Sequence, residues 1–369
     1  MRNSTLYKIS KAKTFRLSST KILGKWGSNL QNIEKSMREI YEADGYEKEL
    51  YDKCLYYLAS FDKSVFTAAE LSVLRILTQE DQSGAEALIV AYCCEPGQYR
   101  ELFKNGIKPH SYLAMQLFAD IWPKKMLEAR TITPDSGFDI QALIDCPIPE
   151  LKKNPFWRDL DLIIKDSDNW PLDQRYYYLA KQTEHSSNYN IKSNTFRMNV
   201  LEKSGGKIVI SKDDAERFLL TKFSLFPEII GYHSWVQRTA ETARVLYNLH
   251  GHPYTITSYD IKDNLKELYA WIPQSTVGEI TNVAYTRMQA YIEKEKLQWD
   301  MLANTHDSYL KQCPLGEEFE CSSKGREFLG QSFRSPIDGV EFAMRSESQI
   351  GFNWRPAHKV KNPLGLRNI

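Results

Sequence analysis

Three things are scarce in this sequence: paired cysteines, long apolar runs and an excess of charge of either sign. Its six cysteines (Cys54, Cys93, Cys94, Cys146, Cys313 and Cys321) form no CxxC pair. A chain of 369 residues buries enough core to need no disulfide staples, so a small cross-linked scaffold is excluded and reduced thiols in the cytoplasm are expected. No stretch approaches the roughly 18 apolar residues of a membrane span. The opening MRNSTLYKISKAKTFR is basic but lacks the apolar run of a signal peptide. A soluble protein with no membrane partner is the expectation. Lys and Arg number 48 against 47 Asp and Glu, a net charge of +1, so there is no global basic signal. A nucleic-acid partner would then require the cations to be gathered along one channel. Internal repeats and low-complexity tracts are also lacking.

What is present reads as alternating strand and helix signals. Residues 14–33 are polar and Gly-bearing, an ordered loop, and residues 34–60 carry Glu and Lys at helical spacing. SVLRILTQED, residues 72–81, is rich in branched and long apolar residues and predicts a buried strand. AEALIVAYCC and residues 96–118 predict helices packed on it. Residues 126–173 hold Pro134, Pro147, Pro149, Pro155 and Pro171, and predict a loop-rich insertion. Residues 174–192 predict a helix. A second begins at Ser211, an N-cap with Asp214 three residues on, and a third covers residues 228–248. LHGHPYTI predicts a turn with short strands. Residues 262–294 predict a helix interrupted at Pro273. WDMLAN and SYLKQC then flank THD as two strands around a tight turn.

Two patterns carry chemistry. Asp81 closes the predicted strand and Asp307 stands at the predicted hairpin tip. Two carboxylates on rigid elements suit a pair of Mg²⁺ ions, hard cations that take oxygen ligands and sit about 3.5–4 Å apart in two-metal sites. Such a pair activates a hydroxyl nucleophile and neutralises a triphosphate. In the helix over residues 174–192, Lys181, His185 and Tyr189 lie at i, i+4 and i+8, on one face. A cation, an imidazole and a phenol in line offer contacts to phosphate, sugar and base. Taken singly, each pattern also fits a bland reading: a turn aspartate, or an amphipathic helix with a solvated lysine.

In order along the chain stand FRLSS with NLQNI, DQSGAEA, AKQTEHSSNYN, WIPQSTVGEI, THDSYL and IGFNW. This series resembles the family A DNA polymerases, the bacterial polymerase I type, and more closely their phage members, over residues 14 to 354. The resemblance implies an α/β (α+β) fold: an antiparallel palm sheet with a helical fingers subdomain, in a right-hand polymerase architecture lacking most of the thumb. It implies a palm in two parts, residues 1–125 and 261–369, with fingers and an insertion over 126–260. Asp81, Asp307 and the Gln82 carbonyl would hold two Mg²⁺ ions, for which Mn²⁺ may substitute. Lys181 would contact the triphosphate and protonate the pyrophosphate, Glu86 would block a ribose 2′-hydroxyl, and His110 in KPHSYLA would touch the incoming phosphates. Tyr189 would lie near the templating base and His185 near the sugar. Arg16, Asn29, Gln31, Lys266, Gln274 and His306 would contact primer-template DNA. The implied partners are primer-template DNA, dNTPs and a separate polypeptide carrying thumb and exonuclease. The implied setting is phage replication in the host cytoplasm.

Departures from the family pattern are local. Ser308 stands where many relatives have a third carboxylate, and Tyr177 where they have an arginine. Asn190 replaces a glycine, Lys266 an arginine and Ala270 an asparagine. Two other readings stand beside the polymerase: a DNA-binding subunit that has lost catalysis, motivated by the missing thumb and the altered triphosphate contacts, and a single-subunit RNA polymerase, which shares the palm chemistry and against which NLQNI and Glu86 speak. The segments 46–71 and 126–173 read as insertions.

Overall fold

The computed structural model describes residues 6–8, 18–20, 48–257, 261–359 and 362–369. Arg16, Asn29, Gln31 and residues 34–47 lie outside them. A short hairpin, β1 (Leu6–Lys8) and β2 (Ser18–Thr20), comes first, then α1 (Lys48–Ser60) and α2 (Ala68–Val73). Thr67 and Glu70 form a capping box that starts α2, accepting from each other's backbone N–H. That cap draws residues 68–73 into helix, so β3 (Arg75–Gln82) begins three residues later than its apolar run suggests.

After β3 come α3 (Ala85–Cys93), α4 (Gln98–Lys104) and α5 (Pro109–Leu117). The proline-rich stretch is more helical than expected, with α6 (Trp122–Glu128), α7 (Ile140–Ile144), α8 (Ile148–Leu151) and α9 (Trp157–Asp166). Two of its prolines start a helix instead of breaking one: Pro147 caps α8 and Pro149 lies in its first turn. A first-turn proline loses only an N–H that has no helical partner anyway. In α9, Trp157, Leu160, Ile163 and Ile164 are buried, a helical stripe facing the core.

Four longer helices follow, α10 (Tyr176–Asn188), α11 (Ser193–Lys203), α12 (Lys212–Leu225) and α13 (Glu228–Thr242). The Ser211 hydroxyl accepts from Asp214 N, as expected of the cap. The third predicted helix ends at Thr242, and β4 (Val245–Tyr247) pairs with β5 (Pro253–Thr255) across the turn. The chain then runs through α14 (Leu265–Glu295), the hairpin β6 (Asp300–Asn304) and β7 (Ser308–Pro314), and α15 (Glu318–Leu329). The hairpin β8 (Ser332–Arg334) and β9 (Glu341–Ala343) leads to β10 (Ser346–Gly351) and β11 (Arg367–Asn368).

Pro273 does not interrupt α14, contrary to expectation. A proline inside a helix removes the bond to the carbonyl four residues back, here Tyr269 O. The buried Tyr232 hydroxyl of α13 donates to that carbonyl at 2.7 Å, so the orphaned acceptor is satisfied from a neighbouring helix.

The central sheet is antiparallel, in the order β11-β10-β3-β7-β6. Along β3 burial alternates: Ile76, Thr78, Glu80 and Gln82 are buried, and Asp81 faces the other way. Under the sheet, Ile76, Cys313 and Ile350 meet Tyr57 and Leu58 of α1, Met288 and Ile292 of α14, and Cys321 of α15. A second, larger core joins the helices, with Leu88, Leu113, Leu160, Phe218, Ile229 and Trp271 among its members. The expected α+β architecture, an antiparallel sheet beside a helical lobe, is what the chain forms.

Candidate active site

The end of β3 and the β6–β7 turn are fastened together by backbone. Gln82 N donates to Asp307 O at 3.0 Å, and Asp81 is paired with Ser308 across the strands. The turn holds its shape through Thr305 N donating to Ser308 O at 2.8 Å and Asp307 N to Thr305 O at 3.0 Å. His306 at its tip has φ +74°, a left-handed conformation. Beyond β3 the chain reverses through Gly84, whose φ of +63° suits glycine and lets α3 begin at once. The Gln82 side chain donates to Thr281 Oγ1 at 2.6 Å and to Val277 O at 3.3 Å, fixing this corner to α14.

Asp81 and Asp307 line one cleft of about 850 Å³. Lys181, His185 and Tyr177 of α10 face it from one side, and Lys108 and His110 from the start of α5. Glu86, in the first turn of α3, lines it too. Seven of the expected site residues, Asp81, Gln82, Glu86, His110, Lys181, His185 and Asp307, therefore meet in one place.

Tyr189 is placed differently. It caps the end of α10, is buried, and donates its hydroxyl to the Glu86 carboxylate. It does not line the cleft itself but touches Glu86, which does and whose Oε2 lies 3.9 Å from His185 Nδ1. The His185 and Tyr189 rings meet edge-on at 5.2 Å. Asn190, just beyond the end of α10, adopts φ +53°. Asparagine is the side chain that best tolerates that region, so the helix can end here without a glycine. Lys266, Gln274 and His306 do not line the cleft. Gln274 lies on α14 one turn before Val277, which does. Lys203, another lining residue, is lowered by desolvation and by repulsion from Lys266 and Lys181, which brings Lys266 to the same flank.

Beside Asp81 the cleft holds a carboxylate that sequence reading did not find. Glu347 of β10 is the cross-strand partner of Asp81. Ser83 Oγ donates to Glu347 Oε1 at 2.9 Å and Lys108 Nζ lies 3.2 Å from it. Burial acts to raise Glu347, yet Lys108 and the Ser83 hydrogen bond hold it below the usual carboxylate range. Asp81 moves the other way. Burial, then the charges of Asp307 and Glu347, push it up to about 7 against the pull of Lys181 and Lys108. Crowded carboxylates of this kind lack positive charge, and a divalent cation supplies it. Among the described residues no three His, Cys, Asp or Glu side chains are gathered as a metal cage. A cation here would complete its shell with backbone, water or phosphate oxygens, as Mg²⁺ commonly does.

No family model matches the sequence, and no curated protein is significantly similar to it. Among solved structures the chain is similar to the POL domain of Pol1 from M. smegmatis in complex with DNA primer-template and dNTP. The TM-score is 0.59 at 17% identity, over 95% of this chain and 48% of that one. The chain has a polymerase-domain fold. It spans about half the length of that polymerase chain. Among the described residues no helix is long and apolar enough to cross a membrane.

Proposed function

We propose that the chain is a template-directed DNA polymerase, transferring a nucleotide from a dNTP to a primer 3′-hydroxyl. One observation carries this: Asp81, Asp307, Lys181 and His110 converge on a single cleft within a polymerase-domain fold. The cleft holds the charges that the reaction needs: Asp81, Asp307 and Glu347 at the end of the sheet, with Lys108 and Lys181 facing them from the helices.

Asp81, Asp307 and the Gln82 carbonyl would hold Mg²⁺, or Mn²⁺ in its place. When bound, a pair of such ions activates the attacking hydroxyl and offsets charge on the triphosphate and the leaving pyrophosphate. The chain's own groups do the rest. Lys181 and His110 bind phosphate oxygens, and Lys181 is placed to give a proton to the leaving group. Glu86, braced by the Tyr189 hydroxyl, occupies the sugar side and leaves no room for a 2′-hydroxyl. His185 stacks near the sugar. Arg16, Asn29, Gln31, Lys266, Gln274 and His306 belong to the primer-template track. Residues 1–125 and 261–369 form the palm in this reading, and 126–260 the fingers, whose α10 closes over the nucleotide. The phage-like motifs favour replication in a phage-infected cell.

The test is incorporation of dNTP against rNTP on a primed DNA template by the wild type and Glu86→Ala. The wild type is expected to prefer dNTP, and the variant to accept rNTP more readily. Equal preference in both would remove Glu86 from this role, and rNTP preference in the wild type would favour an RNA polymerase.

A further inference from the structure

At the edge of the cleft, helices α4, α5, α10 and α12 enclose a carboxylate set apart from the two aspartates, that of Glu184. Glu184 lies on α10 three residues beyond Lys181, its side chain only 4% exposed. The Tyr99 hydroxyl donates to its Oε1, Asn188 Nδ2 donates to the same oxygen at 3.2 Å, and His110 Nδ1 lies 3.2 Å from Oε2. Lys222, fully buried, holds its ammonium over the rings of Tyr99 and Phe226 at 3.9 and 4.4 Å. Burial alone would raise Glu184, but the His110 bond and the Lys222 charge hold it well below the usual range.

A buried anion against one imidazole nitrogen decides what the other nitrogen can do. With Nδ1–H turned to Glu184, Nε2 is the nitrogen left for the cleft that His110 lines. The Tyr177 ring packs edge-on against the imidazole at 5.5 Å and restrains it. Between a carboxylate and a bound phosphate, the ring has an acceptor at each nitrogen.

We propose that Glu184 is a positioning residue: it holds His110 by Nδ1 so that Nε2 donates to the phosphates of the incoming nucleotide. The identity of that ligand rests on the polymerase reading; the Glu184–His110 link does not. Two measurements separate them. The first is dATP affinity in Mg²⁺ for the wild type, Glu184→Gln, His110→Gln and the double variant, with melting curves for each. Each single variant is expected to bind about tenfold more weakly, as for one lost charge-assisted hydrogen bond, and the double variant no more weakly than either. Unchanged binding in Glu184→Gln, or losses that multiply in the double variant, would overturn the proposal. Absence of dATP binding by the wild type would overturn the polymerase reading instead. The second is the ¹⁵N spectrum of the wild-type His110 ring, which needs no variant to fold. A proton on Nδ1, with and without nucleotide, is expected; a bare Nδ1 would overturn the link.

Discussion

Glu80 and Lys311 form an ion pair wholly inside the protein, directly beneath the residue proposed to bind metal. Lys311 Nζ lies 2.7 Å from Glu80 Oε2, and both side chains are 0% exposed. Lys311 also donates to Cys321 O at 2.8 Å, and Gly325 leaves room for the pair, since a Cβ there would meet Lys311 Nζ at 2.5 Å and Glu80 Cδ at 2.7 Å. Burial pushes the Glu80 carboxyl up and the Lys311 charge pulls it back. Glu80→Ala leaves a buried ammonium with the Cys321 carbonyl but without its carboxylate partner, and such unpaired buried charges cost about 3–5 kcal/mol. Replacing both residues by apolar ones of similar volume, Glu80→Leu with Lys311→Met, removes both desolvation penalties and is expected to fall within about 1 kcal/mol of wild type, or above it. Urea unfolding of the three proteins decides, read as midpoints at comparable slope. A double variant as unstable as Glu80→Ala would refute the reasoning, because packing and not uncompensated charge would then set the loss.

Asp81→Asn is expected to raise the melting temperature at pH 8 while abolishing nucleotide addition. Its folded pKa of about 7 exceeds the ordinary 3.8, so its stabilising contribution is full below about pH 4 and is lost as pH rises through 7. Melting curves of the two proteins should converge in acid and separate above neutrality; a constant difference at every pH would contradict this. Tyr232→Phe is expected to cost about 1–3 kcal/mol, because it strips the buried Tyr269 carbonyl of the donor that stands in for the missing Pro273 N–H. Pro273→Ala restores a helical N–H, so the same change should cost much less in that background, and equal costs would count against the account.

What was legible in the sequence was local. Asp81 and Asp307 could be placed because a strand end and a hairpin tip announce themselves in neighbouring residues, as does the Ser211 cap. Lys181 and His185 could be aligned because helical spacing puts them one turn apart. Glu347 could not be found, because its position beside Asp81 depends on pairing between strands far apart in sequence. The continuity of α14 through Pro273 likewise depends on a hydroxyl from another helix. Pro147 and Pro149 misled because proline ends a helix in one position and begins it in another. Tyr189 shared the periodic face of Lys181 and His185, but the helix ends at Asn188 and its hydroxyl turns to Glu86.

The most direct test of the central claim is extension of a labelled primer on a defined template by the purified chain and by Asp307→Asn, with and without Mg²⁺. The account predicts metal-dependent addition of the dNTP that the template specifies, absent in the variant while DNA binding persists. Addition that survives Asp307→Asn would contradict the proposed chemistry. DNA binding without synthesis in either protein, in Mg²⁺ and in Mn²⁺, would point to a subunit that binds DNA and does not catalyse.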